Sequence, residues 1–267
     1  MRLLPLFLII ANSLLGANWY HTPFAPWDDV EEIGITELDA LRESKFVWGV
    51  KEIVNGEPCR VAYFPIEGGY LKLHSFFMRD DDWDIYLSVG HKDKGFCEPL
   101  RFTEFSAIGP LEVYEAYLND DNTKDIILVK YTGGNGSGGR DAEVGFLLSS
   151  PDKGGFTFQT TFTILPEQDD FAVINDTKCF IQCDLKGVER CEDDKPHNFF
   201  VYHLMTFDGD SLKVNNAISE DFPKTIWWSF RPRHEETDLL SPQAKAKIVS
   251  ESIPPIDFRG VLLWRFD

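Results

Sequence analysis

The sequence predicts a mostly antiparallel all-β protein with two short helices. Three observations lead to this class: apolar and β-branched residues recur in runs of about five to eight, turn-forming residues separate the runs, and helical periodicity is confined to two segments. A chain of 267 residues with 43% hydrophobic and 14% aromatic content can bury a large core. Many short strands at fairly even spacing are typical of a sandwich, a barrel or a propeller.

The N-terminus has the features of a secretory signal peptide. Arg2 is the basic residue of its first region, residues 3–10 are apolar, and Ala17 is the small residue expected before a cleavage site. The apolar stretch is shorter than the roughly 20 residues of a spanning helix. We therefore expect residues 1–17 to be removed and residues 18–267 to form a single mostly β domain, periplasmic or secreted, with no membrane span.

Two segments carry helix-start signals. Thr36 can cap a helix over residues 37–42, whose first turn is acidic as the helix dipole favours. Ser241 and Pro242 are suited to the cap and first position of a helix over residues 242–249. Both predicted helices are short additions to a β structure.

Strands are predicted over most of the remaining chain, between segments rich in Gly, Asn, Asp and Pro. Residues 208–210, Asp-Gly-Asp, separate two β-rich runs and predict a hairpin. The predicted strands cover residues 46–53, 59–64, 70–78, 84–89, 111–117, 125–131, 142–148, 155–164, 171–174, 180–183, 199–207, 211–215, 224–230 and 260–266.

An acidic segment between two predicted strands contains candidate ligands for calcium, the one cofactor that the sequence suggests. Asn119, Asp121 and Asp125 place side-chain oxygens at spaced positions, which suits a hard cation. The alternative is an acidic turn without a bound ion, in which case the protein needs no cofactor.

This segment resembles the repeat of FG-GAP and VCBS β-propeller proteins, in which an acidic calcium-binding loop precedes an Asp that leads a hydrophobic strand. In that resemblance Asp125 takes the closing position, and Asn119 and Asp121 take the third and fifth positions. Tyr117 and Asn122 depart from the pattern, because they replace the first Asp and the turn glycine.

Further segments extend the comparison. Residues 171–178 resemble a second, more divergent copy of the repeat, and residues 197–202 and 222–232 resemble exported bacterial proteins of unknown function. The first resemblance implies a β-propeller-like fold, which the recurrence of short strands also favours. A β-sandwich is the alternative architecture.

Cysteine content predicts disulfide bonds. In an oxidising compartment thiols pair, and an odd number leaves one thiol free. Cys183 and Cys191 flank a polar stretch, so a bond between them would close a small surface loop. A metal site that combines Cys179, Cys183 and Cys191 with His197 is the alternative. The disulfide candidates are Cys59, Cys97, Cys179, Cys183 and Cys191.

An aromatic and basic cluster near the C-terminus predicts a partner-binding site. Trp227 and Trp228 are neighbours on a predicted strand, so they face opposite sides and at most one of them joins a given core. An exposed Trp beside Arg231 and Arg233 can stack on a sugar or bind an acidic group. The predicted site comprises Trp227, Trp228, Arg231 and Arg233, for a protein or glycan partner, and core packing is the alternative.

Charge and motif content exclude some functions. The formal net charge of −18 repels phosphate backbones, which argues against nucleic-acid binding and suits calcium or a basic partner. The G-x-G-x-x-G spacing from Gly134 to Gly139 precedes a predicted strand, whereas a nucleotide site needs a helix there.

No catalytic motif emerges, and the six histidines lack metal-ligand spacing. The sequence therefore favours an exported non-enzymatic binding or structural module whose partner it does not specify. An extracellular carbohydrate-active hydrolase and a degenerate calcium-binding adhesion module are the alternatives.

Overall fold

The computed structural model describes residues 31–32, 36–37, 50–54, 57–66, 69–77, 83–91, 95–96, 100–103, 111–131, 141–150, 155–164, 166, 170–228 and 239–262. The strands are β1 (Glu31–Glu32), β2 (Thr36–Glu37), β3 (Val50–Val54), β4 (Glu57–Ile66), β5 (Gly69–Phe77), β6 (Trp83–His91), β7 (Gly95–Phe96), β8 (Leu100–Thr103), β9 (Leu111–Ala116), β10 (Asp125–Tyr131), β11 (Asp141–Ser150), β12 (Gly155–Ile164), β13 (Phe171–Ile174), β14 (Thr177–Val188), β15 (His197–Asp208), β16 (Ser211–Val214), β17 (Lys224–Trp227) and β18 (Asp257–Leu262). A 3-10 turn (Asn216–Ile218) follows β16, and helix α1 (Pro242–Glu251) precedes β18.

These strands form three antiparallel sheets, which confirms the predicted mostly antiparallel β class. Sheet 1 has the order β3-β4-β5-β6-β7, with β8 also on β6. Sheet 2 has the order β18-β12-β11-β10-β9-β2, and sheet 3 has the order β1-β13-β14-β15-β16, with β17 also on β15. Each sheet therefore contains a meander, a run of consecutive strands in which each pairs with the next.

The predicted strands correspond closely to the observed ones. Those over residues 125–131, 155–164 and 171–174 have the observed bounds of β10, β12 and β13, and most others differ by a few residues at their ends. The strands β1, β2, β7 and β8 were not predicted, because segments of two to four residues are too short to show a hydrophobic period.

Two tight hairpins in sheet 3 follow from local chemistry. The predicted hairpin at residues 208–210 is confirmed: Asp208 pairs with Ser211, and Gly209 has a φ of 58°. Between β13 and β14, Asn175 and Asp176 have φ values of 49° and 60°. Positive φ at both central residues matches the right-handed twist of a hairpin, and Asn and Asp tolerate it.

Of the two predicted helices, one is confirmed, and the other lies mostly outside the described residues. Helix α1 begins as expected, with Pro242 in its first turn and the Ser241 hydroxyl accepting from the N–H of Ala244 at 3.3 Å. Thr36 instead lies in β2, paired with Glu115 of β9. Thr36 and Glu37 pair with the edge of β9, so a helix does not begin at Glu37. Residues 38–42 lie outside the described residues.

Sheets 2 and 3 share an apolar core. Phe146 of sheet 2 is fully buried, and its ring centroid lies 5.5 Å from those of Phe180 and Phe207 of sheet 3, in edge-on geometry. Such contacts add to the free energy gained from burial. The buried members of this cluster are Ala116, Leu118, Ile127, Val129, Ala142, Val144, Phe146, Leu148, Phe171, Phe180, Met205 and Leu212.

Sheet 3 contributes to two further clusters. The β14 cluster includes Cys179, Ile181, Cys183, Tyr202 and Leu204. The α1 cluster joins Phe199 and Val201 of β15 to Cys191, Leu240 and Ile248. Nothing helical in the described part of the chain is long and apolar enough to cross a membrane.

Candidate functional site

The turn between β9 and β10 is organised by Asp125. Its Oδ2 accepts from the backbone N–H groups of Leu118 (2.8 Å) and Asn119 (3.2 Å), and its Oδ1 accepts from the N–H (2.7 Å) and hydroxyl (3.0 Å) of Ser149. Burial raises the pKa of Asp125 from its ordinary value of 3.8 to about 6, although these hydrogen bonds act to lower it. Asp125 therefore fastens the turn to β11.

The other two predicted calcium ligands, Asn119 and Asp121, meet at the same serine. Ser149 Oγ lies 2.5 Å from Asp121 Oδ2 and 3.4 Å from Asn119 Oδ1. The structure thus brings together the residues that the sequence singled out. One hydroxyl has one proton, so it serves only one of these acceptors at a time. Within the described ranges, no group of three or more His, Cys, Asp or Glu side chains is placed to hold a metal.

Groups from sheet 3 also contact this turn. Lys178 Nζ lies 3.3 Å from the carbonyl oxygen of Asn119 and 3.4 Å from Asp120 Oδ1, and the Asn119 amide donates to the carbonyl of Gly209 at 3.3 Å. Asn122, which stands where the repeat has glycine, adopts a φ of 61°. The turn is therefore held by donors from the protein itself.

Calcium is expected to leave the stability of the protein unchanged, because both Asp125 oxygens already accept N–H groups and Lys178 places a positive charge beside the turn. The midpoint of thermal unfolding in millimolar calcium should match that in chelator within about 1 °C. A rise of several degrees that is lost in Asp121→Ala and kept in Asp176→Ala would contradict this expectation and establish the predicted calcium site.

A cleft of about 390 Å³ lies where the end of β12, the middle of β14 and the segment after α1 meet. This volume lies within the range of small-ligand sites. Sequence reasoning missed the cleft, because its residues are distant in the chain and no local motif marks them. It is lined by Asp141, Phe162, Thr163, Ile164, Gln182, Cys183, Asp184, Leu185, Pro254 and Pro255.

The charge of the cleft comes from Asp141 and Asp184. Burial raises the pKa of Asp141, and the neighbouring charge of Asp184 raises it further. Lys186 Nζ lies 2.8 Å from Asp184 Oδ2, but Lys186 is not among the residues that line the cleft. Two carboxylates and one ammonium group leave a net negative charge at the cleft, which favours a cationic ligand.

Polar side chains hold the two strands of the cleft together. Thr163 Oγ1 accepts from the N–H of Cys183 at 3.0 Å and lies 3.4 Å from its carbonyl oxygen. The Gln182 amide donates to the carbonyls of Phe162 and Cys183, both at 2.9 Å. These bonds connect β12 to β14 although the two strands are not paired, so they fix the floor of the cleft.

Three side chains resemble a catalytic triad in composition: the buried Ser252 and His203 and the partly buried Asn216. Ser252 Oγ lies 2.8 Å from His203 Nε2, and Asn216 Nδ2 lies 3.0 Å from His203 Nδ1. Asn216 Oδ1 accepts from the N–H of Leu204, so its NH₂ group faces the ring and donates to Nδ1. The ring proton is therefore on Nε2.

This assignment makes the network structural. His203 donates to Ser252, and Ser252 in turn donates to the carbonyl of Val249 at 2.8 Å. A general base needs an unprotonated nitrogen toward the nucleophile, which this arrangement lacks. His203 and Ser252 are both buried, and they fasten β15 to the end of α1.

Trp227 and Trp228 belong to different clusters, as the alternation along a strand predicted. Trp227 packs on the α1 cluster, with its ring centroid 5.1 Å from that of His197. Trp228 packs on the β14 cluster. Both are partly buried, and their role in partner binding stays a prediction. Arg231 and Arg233 lie outside the described residues.

The expected disulfide between Cys183 and Cys191 is not formed. Cys179, Cys183 and Cys191 are buried free thiols, and Cys191 lies in the α1 cluster whereas the other two lie in the β14 cluster. Cys183 lies in the middle of β14, and five further residues of that strand separate it from the loop that contains Cys191. The alternative metal site of Cys179, Cys183, Cys191 and His197, all of which are described, is not assembled either. Burial raises the pKa of all three thiols, that of Cys179 to about 11. The side chain of Cys59, and Cys97, lie outside the described residues.

No family model, no curated protein and no solved structure matches the chain.

Proposed function

We propose that the protein is an exported, non-enzymatic binding module that captures a basic ligand in the cleft. The observation that carries this proposal is the pair of carboxylates, Asp141 and Asp184, set among apolar walls. The signal-peptide features of residues 1–17 support export to the periplasm or the extracellular space. The meander in each sheet supports a propeller-like arrangement, since antiparallel meanders form the blades of propellers.

The walls of the cleft suit a cation that has an apolar stem. Phe162, Ile164 and Leu185 with Pro254 and Pro255 offer carbon surface, and the carboxylates offer charge. Lysine and arginine side chains combine the same two properties, because their methylene groups bury while the charged end seeks a partner. The net charge of −18 also attracts cations over a longer range.

A carbohydrate-active hydrolase is the second candidate. Its supporting observation is also the carboxylate pair, because a general acid needs a raised pKa beside a second carboxylate, and Asp141 has one beside Asp184. The two candidates differ in turnover. Release of the chromophore from nitrophenyl glycosides, lost in Asp141→Asn, would favour the hydrolase over the binding module.

Neutralising Asp184 is expected to weaken binding of a basic ligand. We expect the Kd for dansylcadaverine, an amine with an apolar stem, to rise about tenfold in Asp184→Asn, which corresponds to roughly 1.4 kcal/mol. Fluorescence titration measures both Kd values, and the difference between wild type and Asp184→Asn should become smaller as the salt concentration rises.

The matched control is Asp221→Asn, which makes the same charge change at an exposed residue outside the cleft lining. Its Kd should stay within about twofold of the wild-type value. Equal affinities in the wild type, Asp141→Asn and Asp184→Asn would overturn the proposed function.

A further inference from the structure

One edge of β14 is open beyond its first residues. β13 pairs only with Thr177–Phe180, whereas β14 continues to Val188. On its other side β14 pairs with β15 along Cys179 to Val188. In the ranges that the structure describes, no strand pairs with the free side of residues 181–188.

The cleft runs along this open edge. Its lining includes the consecutive residues Gln182, Cys183, Asp184 and Leu185. Successive side chains of a strand point to opposite faces, so a cleft on one face would contact only alternate residues. A cleft that contacts four residues in a row therefore lies beside the edge of the strand, where its backbone is accessible.

Backbone groups at this edge have a known direction. Both the N–H and the C=O of Cys183 meet Thr163 Oγ1, so they point away from β15. The register between β14 and β15 is uniform from Cys179 to Val188, and in an antiparallel ladder alternate residues point the same way. The N–H and C=O groups of Leu185 and Gly187 therefore also point toward the open edge.

We propose that the basic ligand is an extended peptide that adds a strand to β14 at Leu185 and Gly187. A Lys or Arg side chain of that peptide then reaches Asp184 and Asp141 in the cleft. This inference rests on the proposed function and specifies its ligand. Strand addition draws affinity from main-chain hydrogen bonds and specificity from side-chain pockets, and the edge and the cleft supply these two components side by side.

Gly187 offers a matched pair of variants. A Cβ at this position would lie 3.2 Å from Asn198 Oδ1 in either Gly187→Ala or Gly187→Pro, so both variants meet the same neighbour. Only proline removes the N–H, and because this N–H points away from β15 its loss costs no bond of the existing ladder. The difference between the two variants therefore reports on the open edge.

The probe is a capped heptapeptide of alternating lysine and valine, titrated by fluorescence anisotropy against each variant. Gly187→Pro should weaken peptide binding at least about tenfold relative to Gly187→Ala, while both variants bind dansylcadaverine within about twofold of wild type. The amine titration also shows that the cleft of Gly187→Pro is intact.

N-methylation of the peptide tests the same pairing on the unaltered protein. Only one of the two alternate sets of peptide N–H groups can face β14, so methylating that set should weaken binding about tenfold and methylating the other set should not. Equal binding of both methylated peptides, or no peptide binding by wild type, would overturn strand addition. Amine binding that persists in that case would leave the proposed function standing, and its absence would overturn both.

Discussion

Replacing Asp125 with asparagine is expected to lower the free energy of unfolding by roughly 2–4 kcal/mol. Asparagine has nearly the same size but one acceptor oxygen, so its NH₂ group would face backbone N–H donors of Leu118 and Asn119 or of Ser149. Those donors are buried and would lose their acceptor. Urea unfolding at pH 7 measures the loss.

The matched control is Asp120→Asn, five residues earlier in the same turn. The Asp120 side chain is fully exposed, and its ion pair with Lys178 spans 3.4 Å in water. We expect its effect on unfolding to stay below about 0.5 kcal/mol. A similar loss in both variants would mean that charge, and not the hydrogen bonds of Asp125, stabilises the turn.

The pH dependence of the Asp125→Asn effect has a defined sign. The pKa of Asp125 is about 6 in the folded protein and 3.8 when it is unperturbed, so the folded state binds its proton more tightly. The stability contributed by this protonation is complete below the unfolded pKa and is lost as pH rises through about 6. The difference between wild type and Asp125→Asn should therefore widen from pH 7 to pH 4.5. A difference that narrows would contradict the raised pKa.

Replacing His203 with alanine is expected to cost roughly 3–4 kcal/mol. The variant removes a fully buried ring, leaves a cavity, and takes hydrogen-bond partners from Ser252 and Asn216. Denaturant unfolding measures the loss. His197→Ala is the control, because that ring is partly exposed on the same strand, and we expect it to cost about 1 kcal/mol or less.

The sign of the pH effect is opposite for His203. Burial lowers its pKa below the ordinary value of 6.5, and the charge of Asp184 only partly compensates. Stability from the neutral ring is complete above 6.5 and is lost as pH falls toward the lowered pKa. The difference between wild type and His203→Ala should therefore narrow on acidification, over part of the range in which the Asp125→Asn difference widens. A difference between wild type and His203→Ala that widens on acidification would mean that the folded protein binds the proton of this ring.

The strands were predictable because their signals are local. Residues 155–164 alternate and end in turn chemistry, and the Ser241–Pro242 pair marks α1 without reference to any partner. Thr36 shows the limit, because local sequence does not report that Thr36 and Glu37 pair with the distant edge of β9.

The candidate sites were also predictable only where their residues are close in sequence. Asn119, Asp121 and Asp125 are close in sequence, so their proximity was predictable, but the role of Asp125 depends on Ser149 in another strand. The cleft joins Asp141 to Asp184 and to Pro254, and no periodicity reports contacts between residues so far apart. Likewise, the spacing of Cys183 and Cys191 suggested that they close one loop, but β14 extends to Val188 and keeps the two cysteines apart.

The meanders impose an order on assembly during synthesis. A chain that emerges N-terminus first can pair each strand of β9 to β12, or of β13 to β16, as soon as the next one emerges. The partners of the first strands emerge much later, because Glu31 pairs with Val173 and Thr36 pairs with Glu115. β1 and β2 therefore dock on the edges of sheets 3 and 2 only after β13 and β9 have emerged, and β18 completes sheet 2 at the end of the described chain.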